Sequence, residues 1–248
     1  MDVTPDHDRI ARLCAEARAG GALVGFVPTM GALHEGHASL VRLARQECGL
    51  VVLSIFVNPL QFGPGEDIDA YPRTLDHDTG LAETLGVDVV FTPSEKTMYP
   101  NGRPAVTIDP GPLGERLEGA VRPGHFRGVL TVVAKLFNVV GPCRAYFGQK
   151  DAQQAALVRR MVADLDFPVE VVAAQTVREI TGLALSSRNS YLSEEERAAG
   201  AVLFEALAAA AALTRAGERD PNVLRAEMAR TIGAEPLARI DYADVVDD

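Results

Sequence analysis

The chain has 248 residues, 47% of them apolar and 23% charged, with a formal net charge of −10. These are values of a folded protein with one large or two modest domains, and they exclude disorder along the whole length. The acidic balance disfavours nucleic acid and anionic lipid as partners, and any anion site must be built locally against the general field. Asp8 to Ala19 places Ile10, Leu13, Cys14 and Ala17 at helical spacing, and Gly20-Gly21 ends that helix. Leu23 to Val27 is an apolar run closed by Pro28, a buried strand. Thr29 to Gly36 reads as a loop, and His37 to Cys48 as a helix with Leu40, Val41, Leu43 and Ala44 on one side. Leu50 to Val57 is a second buried strand, stopped by Asn58-Pro59.

The alternation continues. Leu75 to Leu85 predicts a helix, Val87 to Phe91 a strand, and Phe126 to Val140 an apolar helix. Arg144 to Phe147 predicts a strand, Asp151 to Leu165 a helix with Asp151 as its N-cap, and Val169 to Ala173 a strand. Continuous apolar strands separated by helices define an α/β, doubly wound parallel sheet, whose ligands sit beyond the C-terminal strand ends. After Ala173 the character changes. Gln175 to Asn189 is polar and irregular, and Ser193 caps a long Ala-rich helix with Glu194, Glu195 and Glu196 in its first turn. Gly217 ends it, Asp220-Pro221 opens another helix to about Ile232, and Arg239 to Val246 reads as a strand. A first domain over residues 1–176 and a smaller α/β domain over residues 177–248 follow.

Cys14, Cys48 and Cys143 are odd in number and far apart, which points to a reducing cytosol and away from a disulfide framework or structural zinc. The N-terminus carries acids early and lacks the apolar region of a signal peptide, and no apolar run approaches a membrane span. A cytoplasmic protein with no membrane partner is expected.

Three motifs follow three of the predicted strands. PTMGALHEGH follows the first, NPLQF the second, and GQKD the one ending at Phe147. In the first, Gly36 admits close approach of a ligand, and a helix start aims free N–H groups and a positive dipole end at the loop. His34 and His37 would add donors to a bound triphosphate. Two solvated histidines at a helix start explain the same letters about as well. An H-x-x-H zinc site is a weaker reading, because no third ligand is evident. Gln61 suits hydrogen bonding to a polyol or carboxylate, although a plain loop residue is the simpler reading. Lys150 sits where an ammonium could reach phosphate. Asp151 is read first as a helix cap, then as a ribose or Mg²⁺ contact. Gln154 lies in the first turn beyond it. In LSSRN, Ser186, Ser187 and Arg188 could grip phosphate, or could equally form a capped linker turn. No G-x-x-x-x-G-K-[ST] loop and no strand-linked G-x-G-x-x-G occurs, so kinase-like and nicotinamide sites lack support.

In order, PTMGALHEGH, SIFVNPLQF, DAYPRT, RPGHFRGV, FGQKD and GLALSSRNSYL resemble the pantothenate synthetase (pantoate–β-alanine ligase) family, collinearly from about Phe26 to Leu192. The histidine pair resembles the HIGH signature of nucleotidyltransferases, and LSSRN their mobile KMSKS-like segment. The resemblance implies a Rossmann-like nucleotidyltransferase fold and ATP-dependent condensation of pantoate with β-alanine through a pantoyl adenylate, with release of AMP and pyrophosphate. It implies Mg²⁺ as cofactor and a homodimer. It places ATP against Met30, Gly31, Ala32, Leu33, His34, Glu35, Gly36 and His37, against Gly148, Gln149, Lys150 and Asp151, and against Val177, Leu185, Ser186, Ser187 and Arg188. His37 is then the proton donor, His34 lies on the phosphates, and Lys150 and Arg188 are the chief phosphate cations. Gln61 and Gln154 hold pantoate, and Gln61 helps to place β-alanine. Residues 177–248 become a lid that shields the adenylate from water. Family members run on through further strands after the segment RIDYADVV, so the second domain is expected to be incomplete here. An adenylyltransferase acting on a phosphorylated acceptor shares the histidine pair but does not need Gln61 and Gln154 together. A non-catalytic nucleotide-binding protein is the third reading.

Overall fold

A computed structural model describes residues 1–247. These divide into two compact units at the Thr176–Val177 junction. The first holds β1 (Asp2–Thr4), α1 (His7–Ala19), β2 (Val24–Thr29), α2 (Glu35–Glu47), β3 (Leu50–Ile55), α3 (Leu75–Thr84) and β4 (Val89–Phe91). It continues with α4 (Glu95–Met98), α5 (Glu118–Val121), α6 (His125–Val140), β5 (Cys143–Gly148), α7 (Ala152–Asp164) and β6 (Val169–Ala174). The six strands form one sheet in the order β1-β4-β3-β2-β5-β6, with every pairing parallel.

Alternation along the strands makes the sheet two-faced. Val24, Phe26 and Val52 pack with Ile10 and Cys14 of α1, the inner side of α6, and Leu157 and Val158 of α7. Val27, Val51 and Leu53 point the other way, onto Leu40, Val41 and Ala44 of α2 and Ala82 of α3. Period-two strands with helices on both faces are the doubly wound architecture expected of the apolar runs. The order also defines a switch point. From β2 the chain winds outward through β3 and β4, then crosses back to lay β5 on the other side of β2. The crevice beyond β2 and β5 is where such sheets bind ligands.

Two local details position the site. Helix α2 starts at Glu35 with His34 as its N-cap, two residues earlier than the sequence predicts. Helix α6 passes so close to the turn at Pro59–Gln61 that a Cβ on Gly128 would lie 2.3 Å from the Leu60 carbonyl oxygen. Glycine is required there by space.

The second unit is helical. It contains α8 (Glu194–Ala199), α9 (Val202–Arg215) and α10 (Pro221–Gly233). Ser193 caps α8 as expected, with its Oγ accepting from Glu196 N and its N–H donating to the Glu196 carboxylate at 2.8 Å. Val202, Ala206 and Ala210 pack on Leu224, Met228 and Ile232. The strand expected at Arg239 to Val246 does not form, and residues 239–247 are irregular. A strand needs a neighbour to satisfy its backbone, and none pairs with this segment among the described residues. Helical residues Glu194–Arg215 are long and apolar enough to span a membrane by count alone, which the apolar runs of the sequence did not suggest. The stretch opens on three glutamates and Arg197, and it packs Val202, Ala206 and Ala210 on α10 while Leu203, Phe204 and Leu207 are exposed.

Candidate active site

The tip of β2 turns through Gly31 and Ala32, both with positive φ (84° and 49°). The left-handed conformation costs an alanine about 1 kcal/mol, so something must hold it. The holder is Asp78 of α3, a fully buried carboxylate. Its two oxygens accept from Ala32 N at 2.9 Å and Leu33 N at 2.8 Å, and Thr74 Oγ1 donates to it at 3.1 Å. The backbone N–H groups of Ala32 and Leu33, two residues that the resemblance places against ATP, are therefore engaged within the protein. Leu33 is buried in the core.

The turn delivers the two histidines. Gly36 N donates to His34 Nδ1 at 3.1 Å, and His34 N points at His37 Nδ1 at 3.4 Å. The ring centroids lie 4.1 Å apart. With both Nδ1 atoms accepting from backbone, each neutral ring carries its hydrogen on Nε2. Burial lowers the affinity of His37 for a proton to a pKa of about 3, helped by the neighbouring His34 and the Lys150 ammonium. His34 is lowered by burial and then by Lys150. Both imidazoles are thus neutral N–H donors at neutral pH.

Lys150 follows β5 in a 3-10 turn, Gln149–Asp151, beside the histidines whose proton affinity it depresses. Asp151 does not cap α7 with its side chain, contrary to expectation. Its carboxylate instead pairs with Lys150 Nζ at 3.0 Å, and the backbone at Asp151 (φ −100°, ψ 59°) is not the extended one of a usual N-cap. Gly148 and Gln149 complete this turn.

Gln61 is no plain loop residue. It is 8% exposed, its Nε2 donates to Met30 Sδ at 3.2 Å, and its Oε1 accepts from Asn58 Nδ2 at 3.1 Å. Asn58 is fixed in turn by Tyr99 Oη at 2.7 Å and by the Gly128 carbonyl at 3.2 Å. His125 Nδ1 lies 2.9 Å from the Gln61 carbonyl, and Arg122, ion-paired with Glu66, also reaches that oxygen. Met30 and Gln61 thus meet across the tips of β2 and β3. Gln154 is half-buried in the first turn of α7. Its neighbour Gln153 has another task, bonding the carbonyls of Leu113 (3.0 Å) and Arg116 (2.8 Å).

The remaining predicted residues lie in the second unit. Leu185 N donates to the Val177 carbonyl at 3.0 Å, bringing these two together. Ser186 Oγ accepts from Arg188 N at 3.3 Å and caps the turn Ser187–Tyr191. Glu179 holds the segment from below, accepting from Asn189 Nδ2 at 3.2 Å and from the Arg197 guanidinium at 2.8 Å.

Sequence reasoning missed Asp78, Asn58, Arg122 and His125 as site-building residues. Asn58 and the RPGHF segment stood inside quoted motifs, so they were findable. Asp78 was not, for a lone Asp in an amphipathic helix carries no signal.

A wholly parallel sheet with a histidine pair and a lysine flanking its switch point defines a nucleotidyltransferase-like fold. Within that class, the chain belongs to the pantoate–β-alanine ligase family, whose model matches residues 2–248. A pantothenate synthetase of Chloroflexus aurantiacus is 58% identical over 230 residues, covering 93% of this chain and 82% of that one. One of Heliobacterium modesticaldum is 60% identical over 228 residues, covering 92% and 81%. The crystal structure of pantothenate synthetase from Thermus thermophilus matches with a TM-score of 0.91 at 50% identity, over 98% of this chain and 86% of that one. Pantoate–β-alanine ligase from Francisella tularensis, solved with β-γ ATP and β-alanine, matches with a TM-score of 0.80 at 36% identity, over 93% and 86%.

Proposed function

We propose that this chain joins pantoate to β-alanine using ATP, through a pantoyl adenylate. A pantoate carboxylate oxygen attacks the α-phosphorus, and the bond from that phosphorus to the departing pyrophosphate breaks. The β-alanine amine then attacks the acyl carbon, AMP leaves with the acyl–oxygen bond pair, and the new amide loses a proton to solvent. The observation that best supports this is the pair of backbone-oriented neutral imidazoles beside Lys150 at the switch point. Negative charge builds on the leaving pyrophosphate, and fixed donors there stabilise the transition state.

In this reading His34 and His37 donate through Nε2 to the phosphates. His37 carries no extra proton in the free protein, so its assignment as proton donor narrows to hydrogen-bond donation until an anionic ligand raises its affinity. Lys150 supplies the cation, with Arg188 of the second unit as its counterpart. Met30 to His37, Gly148 to Asp151, Val177 and Leu185 to Arg188 form the ATP contacts. Gln61 and Gln154 hold pantoate, and Gln61 also places β-alanine. Residues 1–176 bind nucleotide and pantoate, and residues 177–248 exclude water while the adenylate exists. Mg²⁺ fits as a phosphate-borne ion. No group of three ligating side chains exists among the described residues, but Asp151 offers an oxygen donor at the edge where the phosphates would lie. When bound, Mg²⁺ neutralises phosphate charge. The three free, buried cysteines support a cytoplasmic setting without disulfides. The homodimer belongs to the same reading and rests on the family resemblance.

The test is a radiolabel exchange. Pyrophosphate should exchange into ATP only with pantoate present, and pantothenate plus AMP should form only when β-alanine is added. Exchange without pantoate, or nucleotide binding without turnover, would overturn the proposal.

A further inference from the structure

We propose that Asp78, which no motif contains, is a positioning residue for the adenylation half-reaction: its buried carboxylate holds the 31–33 turn that aims His34 and His37. The inference rests on the function proposed above. Its basis is the completeness of the carboxylate's coordination. One oxygen takes Ala32 N and the other takes Leu33 N, each below 3 Å, while Thr74 Oγ1 and the ring of exposed His77 (3.5 Å) approach the second. Two consecutive backbone amides converging on one anion form the concave nest that elsewhere binds phosphate. Here the protein fills that nest with its own carboxylate. The triphosphate is thereby left to the imidazoles, Lys150 and the start of α2, one step further along the chain.

Space and conformation agree. A Cβ on Gly31 would sit 3.0 Å from Asp78 Oδ2 and 3.0 Å from Ile55 Cγ2, so the turn is pressed between the carboxylate and the tip of β3. Thr29 Oγ1 donates to the Ser54 carbonyl at 2.7 Å and accepts from Gly31 N at 3.2 Å, which pins the entry to the turn. The exit is His34, the N-cap of α2. Between the two, the left-handed pair Gly31–Ala32 is tied to the rest of the fold by Asp78. Loosening it swings the imidazoles relative to the phosphates and disturbs Gln61 only at its bond to Met30 Sδ, because Gln61 keeps its support from Asn58, which Tyr99 and the Gly128 carbonyl hold.

That asymmetry supplies the test. Asp78→Asn keeps size and shape but can accept from only one of the two amides, and it presents an NH₂ to the other. Pantoate-dependent ATP–pyrophosphate exchange should fall about 10²-fold, the size of a mis-set transition-state contact. The reaction of β-alanine with preformed pantoyl adenylate, which involves no triphosphate, should stay within about threefold. An equal fall in both half-reactions would mean that Asp78 serves folding alone, and an unchanged exchange rate would mean that it serves neither; either result overturns the inference. Should Asp78→Asn fail to fold, Thr74→Val removes only the hydroxyl donor. It should give the same selective loss on a smaller scale, roughly 3- to 10-fold, and a non-selective loss would count against the idea in the same way. Wild-type protein lacking exchange altogether would sink the proposed function instead, so the two failures are distinguishable.

Discussion

The turn that carries His34 and His37 and the segment that carries Ser186 to Arg188 are held by opposite means. The first is locked from inside by Asp78, whose side chain is 1% exposed and whose bonds run to backbone. The second is braced at its edge by Glu179 and Arg197, with side chains 16% and 49% exposed. Arg178 adds a stacking contact, its guanidinium 4.5 Å from the ring centre of Phe204. Buried, charge-assisted bonds to backbone fix a geometry, whereas exposed ion pairs are screened and can be exchanged at little cost.

The comparison is broken most directly by removing Lys150, the cation proposed for the phosphates in the first unit. Lys150→Ala should lower kcat by about 10²- to 10³-fold, the usual cost of losing a pre-organised transition-state contact. Pantoate KM should change less than kcat, because Gln61 is held by Asn58 and Met30, neither of which bonds to Lys150. A variant with an unaltered kcat would show that the rigid side does not carry the electrostatic load, and the contrast would collapse.

A pH titration sharpens it next. All five histidines fall in the first unit. His37 has a folded pKa of about 3, held down chiefly by burial, against about 6.5 when unfolded. Between those values the unfolded chain binds the extra proton. Stability is therefore fully present above pH 6.5 and falls as pH drops towards 3. From pH 6.5 to 5, above the ordinary carboxylate range, this amounts to about 2 kcal/mol. His37→Gln should flatten that part of the denaturation profile by the same amount. Equal slopes for the two proteins would mean that the ring is not desolvated as described.

The same contrast explains what the sequence could and could not convey. Strands β2 and β3 were legible because each is a near-continuous apolar run buried on two faces, and β5 and β6 because apolar residues dominate around the single charges Arg144 and Glu170. Strand β1 was not, since three residues at a sheet edge, Asp2–Thr4, carry no period. The false strand at Arg239 to Val246 alternates acceptably but finds no partner, and pairing is a tertiary property. In the site, the histidines, Lys150 and Gln61 stood in motifs, and their convergence followed from each motif's place after a parallel strand. The side-chain role of Asp151 was misjudged because N-cap statistics assume an extended backbone, whereas this chain enters α7 through a 3-10 turn. Asp78 acts 45 residues away from Leu33. Only folding α3 against the β2 turn reveals what it does.

The smallest expected effect lies in the second unit. Arg197→Ala removes an ion pair whose guanidinium is half exposed, while Glu179 keeps its bond from Asn189 Nδ2 at 3.2 Å, and Asn189 keeps the Ala184 carbonyl at 3.0 Å. Such pairs contribute little because water and salt screen them. Amide exchange at residues 186–192 should quicken only severalfold, in low salt more than in high. Thermal unfolding of the protein should be nearly unchanged. The informative comparison is with Asn189→Ala, which cuts the tie to backbone as well. If the loss on Arg197→Ala matched it, or persisted undiminished in high salt, the Ser186–Arg188 segment would be anchored as firmly as the histidine turn. The opposition between a locked side and a lightly braced side would then be wrong.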